Sequence, residues 1–440
     1  MIAGTGAFCP DLHADTSLQE REIVLALLNP ASSSSAAEMR PLLREDLIAA
    51  FERDYASHSA RNEGRSLCKG LTIYDVQREL QACVDMWRAT GSANPDRPGP
   101  HLDQATDLVL LAIEEARANT RPLVWHGQWR GDWPCFYLES VAEQTGGHSQ
   151  LCDFQGSAGF LTVARALHEL DMPAWRDIAD FVEREIVQKW LFYRPSVTYE
   201  HLTSRASAEH LLASLNTGRD VREHFACICL DLDALGYRGY PYRKWADLLA
   251  QLYLTPRYDL DQPAPYANQM PERIPDDWGL FAATTDDGAL WLSVPDFYSS
   301  SPADVMDTSH ANRTAWLAAK AYEEGLISQN VVDGLANTLR YRIWAPEKGL
   351  FYFNNYVDGS DGAIKSLGPG RGGNVWFGWH RLAAYAPDLE GLFLSLAHDV
   401  AHGGPNLPPG SQNKTMQEAP LCLEAWAVRL LSDDRTRSFP

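Results

Sequence analysis

Residues 307–325 read DTSHANRTAWLAAKAYEEG, and this stretch decides how the rest of the chain is interpreted. From Trp316 onward the apolar residues recur at helical spacing, and Gly325 is a typical C-terminal cap, so an amphipathic helix is predicted. Asp307 or Thr308 would be its N-cap. The start of this helix then contains a carboxylate, an imidazole, an amide and a guanidinium within seven residues, which is the composition of an active site.

This helix start has a functional and a structural interpretation. N-capping alone explains Asp307 and Thr308. It does not explain His310, Asn312 and Arg313, and the spacing of three residues places His310 and Arg313 on one face of the helix. We therefore favour a functional site, and a purely structural polar helix start is the alternative.

Helical periodicity continues along most of the chain from Ser17. Helices are predicted at residues 18–28, 42–55, 73–87, 106–118, 136–143, 158–170, 175–190, 206–215, 221–235, 242–254, 311–324, 331–343, 375–384, 389–401 and 416–431. Residues 280–294 predict a hairpin and residues 350–356 a strand. No linker rich in Gly, Ser or Pro divides the chain. We expect residues 1–440 to form one mainly α domain, an (α/α) toroid or barrel of helix pairs with small β insertions.

Composition limits the classes of partner. With 45% hydrophobic and 22% charged residues the chain has an ordinary globular composition, and no apolar run has the length of a membrane span. The formal net charge of -20 argues against nucleic-acid binding, and no phosphate-binding glycine motif is present. An acidic substrate would need a locally basic cleft, for which the candidates are His310, Arg313, Arg371 and Lys414.

Cysteine spacing and the N-terminus indicate the compartment only broadly. The eight cysteines show no CxxC pairs, so free buried thiols are favoured over a zinc ribbon or a dense disulfide framework. A bridge between Cys135 and Cys152 is the alternative. No secretory signal is visible, so the protein is expected to be cytoplasmic, or secreted with its leader removed before this numbering begins.

His398 and His402 lie four residues apart on a predicted helix, in the run His-Asp-Val-Ala-His. This spacing can bind zinc and is similar to the zincin motif, with Asp in place of the usual Glu. The acid is shorter, and the sequence offers no evident third ligand. The sequence therefore favours surface or packing histidines and predicts no metal and no cofactor.

Two further stretches combine tryptophans with polar side chains, at residues 125–133 (WHGQWRGDW) and 371–380 (RGGNVWFGWH). Sugar rings pack on aromatic planes, and sugar hydroxyls need directional donors and acceptors. The glycine turn at 371–373 would precede a helix start, where backbone N–H groups favour a carboxylate. The alternative for each tryptophan is a place in the core. The expected sugar-binding residues are Trp125, His126, Gln128, Trp129, Arg371, Asn374, Trp376 and His380.

The stretch 307–325 resembles the Asp-x-Ser-His start of an inner helix in the helical-toroid polysaccharide lyases, of the alginate and glucuronan lyase type. The resemblance implies β-elimination on a uronate-containing polysaccharide, with an acidic oligo- or polysaccharide as the partner. It also implies that His310, Asn312 and Arg313 neutralise the uronate carboxylate. Tyr298 or His310 would transfer the protons, and Tyr352 and Tyr356 are the next candidates for the base.

Three other functions remain open from the sequence: a glycoside hydrolase, a sugar epimerase and a non-catalytic carbohydrate-binding protein. A hydrolase needs two carboxylates about 5 to 9 Å apart across the scissile bond. The sequence leaves open which acidic residues would approach each other, and the candidates are Asp153, Asp276, Asp277, Asp307 and Glu418.

Overall fold

A computed structural model describes part of the chain. The described residues are 33–67, 71–91, 98–118, 121–125, 128–135, 150–191, 211, 215, 219–257, 280–285, 288–293, 306–360, 373–403 and 419–432. In the strands and at a few helix positions the description covers the backbone only. The helices predicted at 18–28 and 136–143, and most of the one at 206–215, lie outside the described residues.

Within these residues the protein is mainly α-helical, with twelve α-helices and few strands. The helices are α1 (Ser33–Arg61), α2 (Leu71–Thr90), α3 (Pro100–Ala118), α4 (Gln150–Glu169), α5 (Ala174–Phe181), α6 (Gln188–Leu191), α7 (Arg219–Ala234), α8 (Tyr242–Leu254), α9 (Thr308–Glu323), α10 (Gln329–Thr338), α11 (Pro387–Ala401) and α12 (Ala419–Leu431). Two π-helical segments, Val182–Val187 and Leu339–Ile343, follow α5 and α10. Hydrophobic periodicity therefore predicted the mainly helical class correctly.

The strands form two small sheets. β1 (Arg121–Trp125) pairs antiparallel with β2 (Gln128–Cys135). β3 (Pro256–Arg257) pairs parallel with β4 (Leu280–Thr285), which pairs antiparallel with β5 (Gly288–Ser293). The β4–β5 hairpin confirms the prediction at 280–294. The β1–β2 hairpin lies in a stretch for which the sequence predicted no helix or strand, because its glycines and polar residues obscure the alternating pattern of a strand.

Two predicted elements differ from the observed ones. The predicted strand at 350–356 forms only isolated bridges, Trp344 to Phe353 and Asp307 to Tyr356. The helix predicted at 375–384 is a 3₁₀ helix, Trp379–Ala384, preceded by a turn. Its N-cap Gly378 has φ −149 and ψ −58, which is not a helical conformation, so the helix cannot extend back to residue 375.

The helices pack in a continuous series. α2 packs against α12 and α4, α4 against α7, and α7 against α9; α9 contacts the 3₁₀ helix, which in turn contacts α12. Other helices flank this series: α1 packs on α12, α3 on α2, α5 on α4 and α8 on α7. α2 and α4 approach closely because Gly159 has no side chain; a Cβ there would lie 2.8 Å from the Cα of Gln77.

A buried ion-pair network connects three of these elements. The two carboxylate oxygens of Asp85 on α2 accept hydrogen bonds from Arg381 of the 3₁₀ helix at 2.8 Å and from Arg429 of α12 at 2.7 Å. Asp85 and Arg381 are both buried. Because charged groups are costly to bury without a counter-charge, this carboxylate stabilises the contact of α2 with the 3₁₀ helix and α12.

Two further sequence-based expectations concern the described residues. Among them, no helix combines the length and the apolar character needed to cross a membrane. Cys83, Cys227 and Cys229 are free and buried, and Cys152 and Cys422 are buried as well, which agrees with the expectation of buried cysteines.

We expect Asp85→Asn to lower the free energy of unfolding by about 3 kcal/mol, because it leaves two arginines without their counter-charge in a buried site. Urea denaturation followed by circular dichroism measures this loss. The control is Glu114→Gln on the exposed side of α3, which should change stability by less than about 0.5 kcal/mol. Equal losses in the two variants would contradict the role of the network.

Candidate functional site

The candidate site is built on the N-terminus of α9. Asp307 precedes the helix in an extended conformation, with φ −70 and ψ 152, and its Oδ1 accepts a hydrogen bond from the backbone N–H of His310 at 3.0 Å. This is the geometry of an N-cap, and it confirms one of the two capping residues proposed from the sequence. α9 itself begins at Thr308.

The same carboxylate binds the His310 side chain. Oδ2 of Asp307 lies 2.5 Å from Nδ1 of His310, and the His310 side chain is 41% exposed. Burial lowers the pKa of His310, but the hydrogen bond and the charge of Asp307 outweigh it and raise that pKa to about 9. Burial alone would raise the pKa of Asp307, yet its bond to His310 lowers it. At neutral pH the pair is therefore a carboxylate and an imidazolium.

A neighbouring chain segment fixes the start of α9. The backbone N–H of Thr308 donates to the Asn355 carbonyl at 2.8 Å, and the Thr308 hydroxyl donates to the Asn354 carbonyl at 2.7 Å. Tyr356 forms a backbone bridge with Asp307 and is buried. Burial and then the charge of Asp307 raise the pKa of Tyr356, so its phenol stays protonated near neutral pH.

Asn312 connects α9 to the segment before the 3₁₀ helix. Its Nδ2 donates to the Asn374 carbonyl at 2.7 Å, and its Oδ1 accepts from the Trp379 backbone N–H at 3.2 Å. The two backbones touch at Gly378, where a Cβ would lie 1.8 Å from the Asn312 carbonyl oxygen. The amide of Asn312 is fully buried and therefore holds this segment against the start of α9.

Arg313 lies below His310 in a buried polar layer, and its side chain is 2% exposed. Its Nε donates to Nε2 of His224 at 3.1 Å, and its guanidinium also donates to Oε1 of Gln155 at 3.0 Å. Oδ2 of Asp220 is 3.6 Å away. Burial and then the charge of Arg313 hold the pKa of His224 well below its usual range, so His224 is neutral and accepts the hydrogen bond.

Three of the expected sugar-binding residues lie near α9 and are buried. Oδ1 of Asn374 accepts from the Trp376 backbone N–H at 3.1 Å, and the Trp376 ring meets Phe353 edge to face. His380 packs against Trp426 in the same way, and burial holds its pKa well below the usual range. In this conformation their side chains fill the interior, and their contact with sugar stays a prediction.

The other site residues proposed from the sequence are described less fully. Trp125, Gln128 and Trp129 lie on β1 and β2, whose backbone alone is described. Tyr298, His126 and Arg371 lie outside the described residues. Among the alternative bases, Tyr352 lies near a cation, because Nζ of Lys348 is 5.3 Å from the centroid of its ring.

The structure thus places Asn374 against Asn312, on the helix that also carries His310 and Arg313. It adds Gln155, Asp220 and His224 from α4 and α7, which the sequence analysis did not single out. The one available signal was the run RDVREH at residues 219–224, which is unusually charged for the start of a buried helix.

No protein-family model, curated protein or solved structure matches this chain.

We expect the imidazole of His310 to titrate near pH 9. Because this folded pKa lies above the ordinary value of about 6.5, and the pKa of Asp307 lies below its ordinary value of about 4, the pair stabilises the protein fully between about pH 4 and pH 6.5. That contribution is lost as the pH rises through the folded pKa. NMR of histidine-labelled protein, with the signal assigned by its loss in His310→Gln, measures the midpoint.

The matched variant for this titration is Asp307→Asn, which keeps an N-capping side chain but removes the charge. Without the hydrogen bond and charge of Asp307, burial lowers the pKa of His310, and the titration midpoint should fall below pH 6.5. A wild-type midpoint at or below 6.5 would show that the ion pair does not form.

Gly378→Ala should destabilise the protein by about 3 kcal/mol or more, because the new methyl group overlaps the Asn312 backbone. Gly325→Ala is the control: it places a side chain at φ 69 with no neighbour within 4 Å, and should cost about 1 kcal/mol. Thermal and urea unfolding measure both. Equal costs would mean that the contact between Gly378 and Asn312 is not tight.

Proposed function

We propose that the protein is a polysaccharide lyase that cleaves a uronate-containing polysaccharide of the alginate or glucuronan type by β-elimination. The observation that carries this proposal is the partly exposed imidazolium of His310, which Asp307 keeps charged at neutral pH. Nδ1 faces Asp307, so Nε2–H is the ring donor left for a substrate.

An imidazolium at this place suits the chemistry of elimination. The C5 proton of a uronate becomes acidic enough to remove only when the neighbouring carboxylate is neutralised and the developing enolate-like charge is stabilised. The His310 cation supplies a charged hydrogen-bond donor. Arg313 is a second cation near His310, but its ion-pair partner Asp220 acts on the pKa of His310 more strongly and in the opposite direction. Asn312 positions these groups by holding the 374–379 segment against α9.

The protonation state of His310 decides which proton transfer it can perform. His310 is protonated near neutral pH, so it suits carboxylate neutralisation or proton donation better than proton removal. We assign proton removal to Tyr298, whose phenol would need a nearby cation to lower its pKa. The base takes the C5 proton, the electron pair forms the C4–C5 double bond, and the C4–O4 bond breaks. The departing O4 takes a proton from His310 or from the tyrosine.

We further propose which residues contact the sugar rings. The candidates are the eight residues expected from the sequence: Trp125, His126, Gln128, Trp129, Arg371, Asn374, Trp376 and His380. Aromatic rings from the β1–β2 hairpin would pack on sugar rings, while Arg371 and the glycine turn would bind a second carboxylate.

For the architecture we propose an (α/α) toroid that spans residues 1–440 as a single domain. The continuous contact series of α2, α4, α7, α9, the 3₁₀ helix and α12 supports this, because it returns to α2. These elements would form the inner ring, with α1, α3, α5, α8 and α11 outside it. The start of α9 would then face the cleft.

Two observations bear on the hydrolase alternative. The general acid of a hydrolase must keep its proton near neutral pH, and the bond to His310 lowers the pKa of Asp307, so Asp307 does not suit that role. A second candidate carboxylate, Asp153, is buried against Lys189 and accepts a hydrogen bond from Trp190 at 2.6 Å. A hydrolase, an epimerase and a non-catalytic binding protein are the other outcomes of the test.

The test is to incubate the protein with alginate, glucuronan and a neutral glucan, while following the ultraviolet absorbance of the unsaturated product. We expect absorbance to rise with one of the two uronate polymers and not with the glucan. His310→Gln should lower kcat by about 100- to 1000-fold, as for the loss of one transition-state donor. His168→Gln, an exposed histidine near the end of α4, is the control and should leave kcat unchanged.

Asp307→Asn gives a second readout through pH. It should reduce activity near neutral pH and recover part of it at lower pH, where His310 gains its proton without help. New reducing ends without absorbance would identify a hydrolase, and inverted uronate at C5 without cleavage an epimerase. Binding of a polysaccharide without any product would identify a non-catalytic carbohydrate-binding protein. Each of these three results would contradict the lyase proposal.

A further inference from the structure

A second histidine cluster lies on α11 and α1. His398 lies in the last turn of α11, His402 at its C-cap and Asp46 on α1. Each offers one ligand atom, and these three atoms lie within 4.8 Å of one another. Nε2 of His402 is 3.4 Å from Oδ2 of Asp46. The rings of His398 and His402 lie with their centroids 4.3 Å apart.

The hydrogen bond on the far side of His402 fixes which ring nitrogen faces Asp46. Nδ1 of His402 lies 2.8 Å from the His398 carbonyl oxygen, which can only accept, so Nδ1 carries the proton. In this tautomer the lone pair of Nε2 faces a carboxylate oxygen, and these two acceptor atoms can share one metal ion.

The distances suit a metal ion. In a tetrahedral zinc site with bonds of about 2.0 to 2.1 Å, two ligand atoms lie about 3.3 to 3.4 Å apart. A histidine that binds zinc through one ring nitrogen usually donates its other N–H to a backbone carbonyl or a carboxylate, as His402 does here. Two imidazoles and one carboxylate form a ligand set that zinc binds well.

Access to the cluster also suits a cation. The His398 residue is 7% exposed, while the side chains of His402 and Asp46 are 36% and 45% exposed. One side of the cluster is therefore enclosed, and the other is open to an ion and to water.

We propose that Asp46, His398 and His402 bind a zinc ion, with water completing its coordination. The site would tie α1 to α11, two helices that both pack on α12, and its role would be to stabilise that contact. It uses none of the residues of the His310 site, so its test is independent of the lyase proposal.

The test is calorimetric titration of the metal-free full chain with Zn²⁺, together with the metal content after dialysis. We expect one zinc ion per chain at this site and a rise of a few degrees in the thermal midpoint when zinc is present. Asp46→Asn and His402→Gln should each weaken zinc binding by more than about 100-fold, since the loss of outer partners alone costs 10- to 100-fold. His168→Gln should bind zinc as the wild type does.

Far-ultraviolet circular dichroism establishes that each variant is folded before its titration. The proposal is overturned if folded wild type binds no zinc at micromolar concentrations. It is equally overturned if both variants keep the wild-type affinity, because the zinc then binds elsewhere in the chain.

Discussion

The carboxylate of Asp307 is the constraint on which the candidate site depends. One of its oxygens caps α9, and the other binds the imidazole of His310, the single histidine on that helix. Capping fixes the carboxylate next to the helix start, and the fixed carboxylate keeps His310 charged while much of its ring is still exposed. The Asp307 side chain therefore both stabilises the helix start and sets the charge of His310.

Buried contacts hold the start of α9, which carries this pair, against the neighbouring segments. Asn312 and Gly378 bring the 374–379 segment into direct backbone contact with α9, and Thr308 is bound by the 354–355 carbonyls. Arg313 is held by Gln155, His224 and Asp220 from two other helices. Polar groups buried in this way need their partners, and this need fixes the relative positions of α4, α7 and α9.

The sequence predicted what depends on local pattern and missed what depends on distant contacts. Helical periodicity identified α9 and most other described helices, and capping preference identified Asp307. It overestimated the helix at 375–384, because Gly378 adopts its conformation to approach Asn312. Neither the partners of Arg313 nor the position of Asp46 beside His402 leaves a local pattern, since each pair comes from helices far apart in the chain.

Under the proposed function, the charged ring of His310 receives the acidic group of a sugar. A crystal structure with a saturated uronate disaccharide bound would show this contact. We expect a sugar carboxylate oxygen within hydrogen-bond distance of Nε2, about 2.7 to 3.0 Å, while Nδ1 stays on Asp307. A disaccharide bound with its carboxylate away from this ring, or a neutral sugar face against it, would contradict the proposed role of His310.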